Sequence, residues 1–237
     1  MMKTHYYFSW FSNGLPKKIA DLLHNDICDK KSLVTVCTKP SGGSAIEEEE
    51  YRMVKDDWLG AASIIFDEYH FIDYKVKKED AHDLLKHASV IYLHGGDTHL
   101  QNAFIKEYDL EMAIRNSNAS VIMGMSAGAE NMAAHYICAK SAGWSKAEGV
   151  TVHSGIGLDA FTYVGHFDSD KVELIESELF PISKDMTIYA QCDEATMRVK
   201  NGNIEILGDV YLINNGEIKK MPENNFKEEN RYENYKG

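Results

Sequence analysis

Two kinds of hydrophobic pattern alternate along the first half of the chain. Three short apolar runs rich in β-branched residues are typical of strands buried on both faces of a sheet. They span residues 33–38, 90–94 and 120–124. Apolar residues recur at helical spacing in the stretches around and between them, at residues 16–24, 46–60, 78–87 and 99–116. Because strands that alternate with helices form βαβ units, the pattern predicts an α/β fold with a mostly parallel sheet.

The pattern changes after about residue 185. Apolar and polar residues alternate there, and the pairs Asn201-Gly202 and Asn215-Gly216 are strong signals for hairpin turns. The C-terminal part is therefore predicted to form antiparallel hairpins. Residues 223–237 lack an apolar face and are interpreted as a polar tail. Since no repeat and no Pro- or Ser-rich linker interrupts the rest, residues 1–222 are interpreted as a single domain.

Composition and charge limit the classes of partner. The chain has 237 residues, of which 44% are hydrophobic, and this is enough for a sizeable core. Its formal net charge of −12 argues against binding to nucleic acid or to an anionic membrane, both of which need clustered positive charge. A small peptide or other small molecule is the expected partner, and the sequence does not distinguish a monomer from a homodimer.

Location and cofactors follow from what the chain lacks. No window holds about 18 consecutive apolar residues, and the N-terminus has no apolar core of the kind found in secretory signals, so a cytoplasmic protein is expected. The four cysteines show no CxxC spacing, which favours reduced core thiols over a zinc site or a disulfide framework. The cysteines therefore predict no metal site.

The strongest chemical signal is the segment Gly124-Met125-Ser126-Ala127-Gly128. It lies between an apolar strand pattern and an alanine-rich helical pattern, which is the setting that a Gly-x-Ser-x-Gly elbow requires. Such an elbow holds the serine at the carboxyl edge of the sheet, beside helix N–H groups that can stabilise an oxyanion. Ser126 is thus a candidate nucleophile and the N–H of Ala127 a candidate oxyanion donor. The alternative is that Ser126 is merely a small residue in a tight turn.

A second glycine turn, Gly95-Gly96, also ends a predicted strand and begins a predicted helix. In a parallel sheet the loops at the carboxyl ends of neighbouring strands meet, so the N–H of Gly96 can complete an oxyanion hole. A plain turn between strand and helix is the alternative. Thr98 is a plausible helix cap, and His94 and His99 flank the turn, where they can contact a substrate.

A serine nucleophile needs a general base, normally a histidine oriented by a carboxylate. Spacing alone does not decide between His153 and His166. It leaves four candidates for the carboxylate, which are Asp168, Asp170, Asp193 and Glu194.

Four segments together resemble the peptidase E and cyanophycinase family of serine peptidases. They read "VIYLHGGDTHLQ", "VIMGMSAGAENMA", "GIGLDAFTYVGHFD" and "IYAQCDEATMRV". Their order and spacing agree with the family's glycine turn, serine elbow, His-Phe segment and later glutamate over roughly residues 85 to 215. The resemblance implies a three-layer α/β sandwich similar to class I glutamine amidotransferases, and a peptidase that acts on small peptides without a cofactor.

The resemblance also implies roles for individual residues. Ser126 would be the nucleophile, His166 the general base and Glu194 the group that orients His166, although Asp193 is adjacent and only one of the two acids can face the histidine on a strand. Gly96 and Ala127 would supply the oxyanion N–H groups. Residues near these positions are expected to contact the substrate, namely Asp97, Thr98, His99 and Asp168.

The sequence departs from the family pattern in one segment. Peptidase E enzymes that remove N-terminal aspartate pair the substrate carboxylate with arginines just beyond the His-Phe segment. Here that segment reads "HFDSDKVELIESELF", with Lys171 as its one cation among several acids. A neutral or basic N-terminal residue is therefore the expected preference. An esterase or amidase that uses the same serine, and a ligand-binding protein without catalysis, remain alternatives, and residues 140–150 are either a lid or a plain surface loop.

Overall fold

The computed structural model describes residues 3–40, 45–144 and 146–223. Its main sheet has seven strands in the order β11-β10-β1-β5-β4-β2-β3. The five strands from β1 to β3 in this order are parallel, and β10 and β11 extend the sheet in antiparallel pairings. Their bounds are β1 Thr4–Phe8, β2 Ser32–Val36, β3 Glu68–Ile72, β4 Val90–Leu93, β5 Val121–Met125, β10 Thr196–Lys200 and β11 Asn203–Leu207.

Within the described ranges, six helices follow or connect these strands, and they account for the predicted helical stretches. They are α1 Lys17–Asp26, α2 Ala45–Arg52, α3 Lys78–His87, α4 Thr98–Glu107, α5 Leu110–Arg115 and α6 Ala127–Met132, with α2 continued by a π-helical segment at Met53–Gly60. The single helix predicted over 99–116 is in fact two helices. Asp109 between them has a φ of 51°, a left-handed conformation that aspartate tolerates better than most residues and that ends a helix.

A second sheet holds six strands in the order β13-β12-β9-β8-β6-β7. Its strands are β6 Ala133–Cys138, β7 Thr151–Ser154, β8 Asp159–Val164, β9 Ile188–Gln191, β12 Val210–Asn214 and β13 Glu217–Lys220. Strands β6, β8 and β9 are parallel, and the other pairings are antiparallel. A short helical stretch between β8 and β9 comprises α7 Val172–Leu174, a π-helical turn Ile175–Leu179 and α8 Phe180–Ile182.

The main sheet is buried on both faces. Tyr6 and Tyr7 are adjacent on β1 and point to opposite sides, as neighbours on a strand do. Tyr6 belongs to a core that contains Leu23 of α1 and Trp58, whereas Tyr7 belongs to a core formed with α3 to α6 and the second sheet. The ring of Tyr7 lies 5.1 Å from that of Phe161 on β8. The predicted α/β class, with a mostly parallel sheet and antiparallel C-terminal strands, is confirmed.

Both predicted hairpins are present. Asn201-Gly202 joins β10 to β11 and Asn215-Gly216 joins β12 to β13, and all four residues have positive φ, as the tight hairpin turns require. Of the predicted tail at 223–237, all but residue 223 lies outside the described residues. Among the helices described, none combines the length and apolar character that a membrane span needs.

Candidate active site

Ser126 occupies a strained turn between β5 and α6. Its backbone has φ 50° and ψ −113°, and its N–H donates a hydrogen bond of 2.9 Å to the carbonyl of Phe8 at the end of β1. A Cβ atom on Gly128 would overlap the carbonyl oxygen of Leu93, so a glycine is required for α6 to pack against β4. The predicted strand, elbow and helix are therefore present around the serine.

Three side chains form a continuous hydrogen-bonded chain at this elbow. Ser126 Oγ lies 2.7 Å from Nε2 of His166, and His166 Nδ1 lies 2.7 Å from Oδ1 of Asp193. His166 follows β8, and Asp193 lies in the turn after β9. Of the two histidines that spacing left open, His166 is the one that contacts Ser126.

Ser9 supports this chain, although the sequence patterns did not single it out. Its hydroxyl donates to Asp193 Oδ1 at 2.7 Å and accepts a hydrogen bond of 3.0 Å from the backbone N–H of His166. It directly follows β1, whose end lies beside the end of β5 in the parallel pair. Ser9 thereby links the acid to the backbone of the histidine.

The expectation that Glu194 contacts His166 requires a correction. Glu194 Oε1 accepts a hydrogen bond of 2.7 Å from the N–H of Ser12, and its own N–H donates to the carbonyl of Trp10 at 2.7 Å. Asp193 and Glu194 lie in a turn rather than on a strand, and Glu194 has a φ of 61°. The turn directs the shorter acid toward His166 and the longer one toward the loop after β1.

The Gly95-Gly96 turn lies against the elbow. An ideal Cβ on Gly95 would lie 3.7 Å from Ser126 Cβ, and Gly96 lines the same cavity as Ser126. Gly96 has a φ of +133°, and a Cβ there would lie 2.6 Å from Thr38 Oγ1. Ala127 is the first residue of α6. Both candidate oxyanion donors therefore belong to backbone that adjoins Ser126.

The four residues expected to contact a substrate divide into two groups. Thr98 and His99 line the cavity. Asp97 caps α4 by accepting a hydrogen bond of 2.9 Å from Leu100 N, so Asp97 rather than Thr98 is the helix cap. Asp168 is exposed, accepts a hydrogen bond from Asp170 N and lies 3.6 Å from Lys171 Nζ. Neither Asp97 nor Asp168 is among the described residues that line the cavity.

The cavity beside Ser126 has a volume of about 760 Å³. Residues 142–144 and 146–150 contribute much of its wall, so the described residues of the segment that the sequence left open as a lid or a loop do face the site. Gly143 packs close to the histidine, since a Cβ on it would lie 3.0 Å from His166 Cβ. The other lining residues are Gly96, Thr98, His99, Ser126, Glu130, Cys138, Thr151 and His166.

A buried carboxyl forms part of this wall. Glu130, on α6 one turn after Ser126, is 4% exposed and accepts hydrogen bonds from Thr98 Oγ1 at 2.6 Å and from Trp144 Nε1 at 3.4 Å. Burial raises the pKa of Glu130 to about 7, against the opposing effect of the two hydrogen bonds. No motif in the sequence pointed to Glu130, although an acid within a run of small and apolar residues was a usable signal.

The fold and the site together define a serine hydrolase: a serine on a sharp elbow, a histidine in contact with it, a carboxylate behind the histidine and a cavity in front. The profile of Peptidase family S51 matches residues 16–207. The chain therefore belongs to this family of serine peptidases, and the resemblance seen in its motifs is confirmed.

Solved structures agree on the fold. A crystal structure of a peptidase from an acI-B1 Actinobacterium superposes with a TM-score of 0.67 at 16% identity, covering 95% of this chain and 96% of that one. A putative peptidase E protein from Listeria monocytogenes EGD-e gives a TM-score of 0.59 at 14% identity, covering 87% of this chain and 98% of that one. A comparison with curated proteins finds no match.

Proposed function

We propose that this serine peptidase hydrolyses small peptides through an acyl-enzyme, with Ser126 as nucleophile, His166 as general base and Asp193 as the orienting acid. The observation that carries the proposal is the pair of 2.7 Å hydrogen bonds that join these three side chains, of which Ser126 and His166 line the cavity. A serine hydroxyl at its ordinary pKa is a weak nucleophile, and a histidine in this position removes its proton as the attack proceeds.

The reaction has two halves. In the first, Ser126 Oγ attacks the peptide carbonyl while His166 Nε2 takes its proton, and the N–H groups of Gly96 and Ala127 stabilise the oxyanion. His166 then protonates the leaving amine as the C–N bond breaks. In the second half, water attacks the acyl-enzyme, His166 takes a proton from that water, and the proton passes to Ser126 Oγ as the ester bond breaks. Asp193 holds His166 in the tautomer that can accept the serine proton.

The cavity supports a small substrate. Pockets of about 300–1,000 Å³ bury most of the surface of a small ligand, and this cavity falls within that range. Residues 142–144 and 146–150 wall part of this site, which leaves less room for an extended protein chain than an unobstructed groove would. We therefore propose a dipeptidase-like activity on dipeptides and tripeptides.

The charges near the site support a preference for a neutral or basic N-terminal residue. Glu130 and Glu148 line the cavity together with Lys146, while the described lining includes no arginine. An aspartate side chain would lack a bidentate guanidinium partner here and would meet the carboxyl of Glu130. A basic side chain would meet the exposed carboxylate of Glu148, and above about pH 7 also the ionised carboxylate of Glu130, with the opposite charge.

The test is digestion of a dipeptide and tripeptide library that varies the N-terminal residue, read by mass spectrometry. Wild type is compared with Ser126→Ala and with Ser177→Ala, a control at an exposed serine of the helical stretch after β8. We expect cleavage by wild type and by the control, none by Ser126→Ala, and faster consumption of neutral and basic N-terminal residues than of acidic ones.

Three results would contradict the proposal. Equal cleavage by Ser126→Ala would exclude Ser126 as the nucleophile. If no peptide is consumed but simple esters are hydrolysed in a Ser126-dependent reaction, the protein is an esterase; if neither class reacts, it is a ligand-binding member of the family.

A further inference from the structure

One cluster of side chains beside the cavity takes no part in the proton transfers of the proposed hydrolysis. His99, Cys138 and His153 each offer one ligand atom, and these atoms lie within 4.8 Å of one another. Among the described residues this is the group of histidine, cysteine and acidic side chains close enough to hold a metal ion. His99 and Cys138 also line the cavity that contains Ser126.

Three separate elements bring the cluster together. Cys138 and Tyr136 are two residues apart on β6 and so point to the same face of the strand. His153 on β7 lies directly across from Tyr136 in the antiparallel pair, and this places it on that face as well. His99 comes from the first turn of α4. Because the three residues are distant in sequence, their spacing does not show the cluster.

From this geometry we propose that His99, Cys138 and His153 form a binding site for Zn²⁺ or a similar borderline-soft transition-metal ion. His99 Nε2 lies 3.5 Å from Cys138 Sγ. A tetrahedral zinc site with bonds of roughly 2.3 Å to sulfur and 2.05 Å to nitrogen places such a pair about 3.6 Å apart. The ligand atom of His153 lies no more than 4.8 Å from the other two. A movement of about 1 Å would bring it to the separation expected between ligands of one zinc ion.

The chemistry of the donors selects the ion. A thiolate and two imidazoles suit zinc, cobalt and copper, whereas Mg²⁺ and Ca²⁺ require oxygen ligands. The thiol proton is released to solvent when the ion binds, since the thiolate is the ligand. Three protein ligands leave the fourth tetrahedral position for water or for a group of a bound molecule.

Tyr136 orients both histidines. Its ring stacks on His153 with centroids 5.2 Å apart and an angle of 17° between the planes. Its hydroxyl lies 3.2 Å from His99 Nδ1, so a proton on that nitrogen would leave Nε2 free to face Cys138. Metal-binding histidines commonly use their second nitrogen in this way.

A metal ion bound here would affect peptide hydrolysis, an expectation that rests on the proposed function. An ion held by His99 and Cys138 lies at the wall of the substrate cavity. We therefore expect Zn²⁺ to inhibit peptide hydrolysis by taking up space that the substrate needs.

The test measures binding directly. The full chain is treated with a chelator, freed of it, and titrated with Co²⁺ by absorption spectroscopy and with Zn²⁺ by calorimetry. We expect one ion per chain, a thiolate-to-cobalt charge-transfer band, and the strong visible absorption of tetrahedral cobalt. Cys138→Ser and His153→Ala are each expected to remove the spectrum or to weaken binding by at least about 100-fold, and Tyr136→Phe by about 10-fold or more. The matched control is Cys28→Ser, at an exposed thiol, which should bind as wild type does.

The outcomes separate the two proposals. If wild type shows no cobalt–thiolate band, or if Cys138→Ser and His153→Ala both keep wild-type affinity, the metal site is excluded. If cobalt binds as described but no peptide is hydrolysed under any condition, the metal site stands and the peptidase proposal fails. If hydrolysis occurs and Zn²⁺ bound at this site does not slow it, the inhibitory consequence is overturned.

Discussion

At the scale of single residues, Asp193 and Glu194 are neighbours with different partners. Asp193 bonds to His166, and Glu194 bonds to the backbone N–H of Ser12. An asparagine at 193 can donate its amide N–H to His166 Nδ1 and so favour the tautomer that cannot accept the serine proton. We therefore expect Asp193→Asn to lower kcat by about 10²–10⁴-fold.

The matched variant is Glu194→Gln, whose amide oxygen can still accept from Ser12. Its kcat/KM should stay within about 3-fold of wild type, because an exposed neutral hydrogen bond replaces a charged one with little effect on the site. Both values come from steady-state kinetics on the best substrate of the library. If kcat/KM falls more in Glu194→Gln than in Asp193→Asn, Glu194 and not Asp193 is the acid that orients His166.

Glu130 makes the stability of the protein depend on pH. Burial raises its pKa from the ordinary 4.5 to about 7 in the folded state. A carboxyl with a raised folded pKa stabilises the protein fully below pH 4.5, and that stabilisation is lost as the pH rises through about 7. Between pH 5 and pH 8, wild type should lose about 2 kcal/mol of unfolding free energy relative to Glu130→Gln.

Urea unfolding of both proteins at the two pH values measures this difference. Glu148→Gln is the control, because Glu148 lines the same cavity but is exposed. A pH dependence in Glu130→Gln equal to that of wild type would show that the Glu130 carboxyl is not the group responsible.

At the scale of elements, the packing of α6 on β4 depends on a glycine. A Cβ on Gly128 would overlap the backbone carbonyl of Leu93, which cannot move aside as a flexible side chain can. Gly128→Ala should therefore lower the unfolding free energy by at least about 2 kcal/mol, by overpacking. Gly149→Ala is the control, since among the described residues, chain neighbours aside, no atom lies within 4 Å of a Cβ placed there, and it should change stability by less than about 0.5 kcal/mol. Equal stability of the two variants by urea unfolding would contradict the packing argument.

Some of the strands and helices were predictable from the sequence, and others were not. Strands β2, β4 and β5 are buried on both faces, so their apolar runs were sufficient to predict them as strands. The Asn-Gly pairs predicted both hairpins. The second sheet was largely missed. The alanine-rich run after Ser126 has a helical composition, yet α6 ends at Met132 and the chain continues directly into β6. Tertiary pairing with β8 and β7 determines that strand, and local composition does not report such pairing.

The same limit applies within the site. The role of Ser126 was predicted because it follows from a local motif. The role of His166 was predicted because its segment resembles the His-Phe segment of the family. The partner of His166 depends instead on a left-handed residue at Glu194, which turns the Asp193 carboxylate inward. Ser9 was missed because its place beside His166 follows from the position of β1 next to β5 in the sheet.

At the scale of the whole molecule, the net charge of −12 creates a negative field around a cavity that itself contains two carboxyl groups. Such a field raises the encounter rate of a cationic substrate and loses its reach as salt is added, because the Debye length falls from about 30 Å at 0.01 M to about 10 Å at 0.1 M. A dipeptide with N-terminal lysine should therefore lose about 3-fold or more in kcat/KM over this range. The corresponding norleucine dipeptide, with a similar side-chain length and no charge, should change by less than about 2-fold.

Two variants with the same change in net charge separate the local effect from the global one. Glu148→Gln removes a carboxylate from the cavity wall, whereas Glu217→Gln removes one from β13, at the opposite edge of the second sheet from the cavity-lining strands β6 and β7. If the cavity focuses the field, Glu148→Gln should weaken the salt dependence for the lysine peptide more than Glu217→Gln does, since nearby charges contribute most to the potential. Equal salt slopes for the lysine and norleucine peptides in wild type would show that the charge of the protein does not guide its substrate, and would remove the electrostatic support for a basic N-terminal preference.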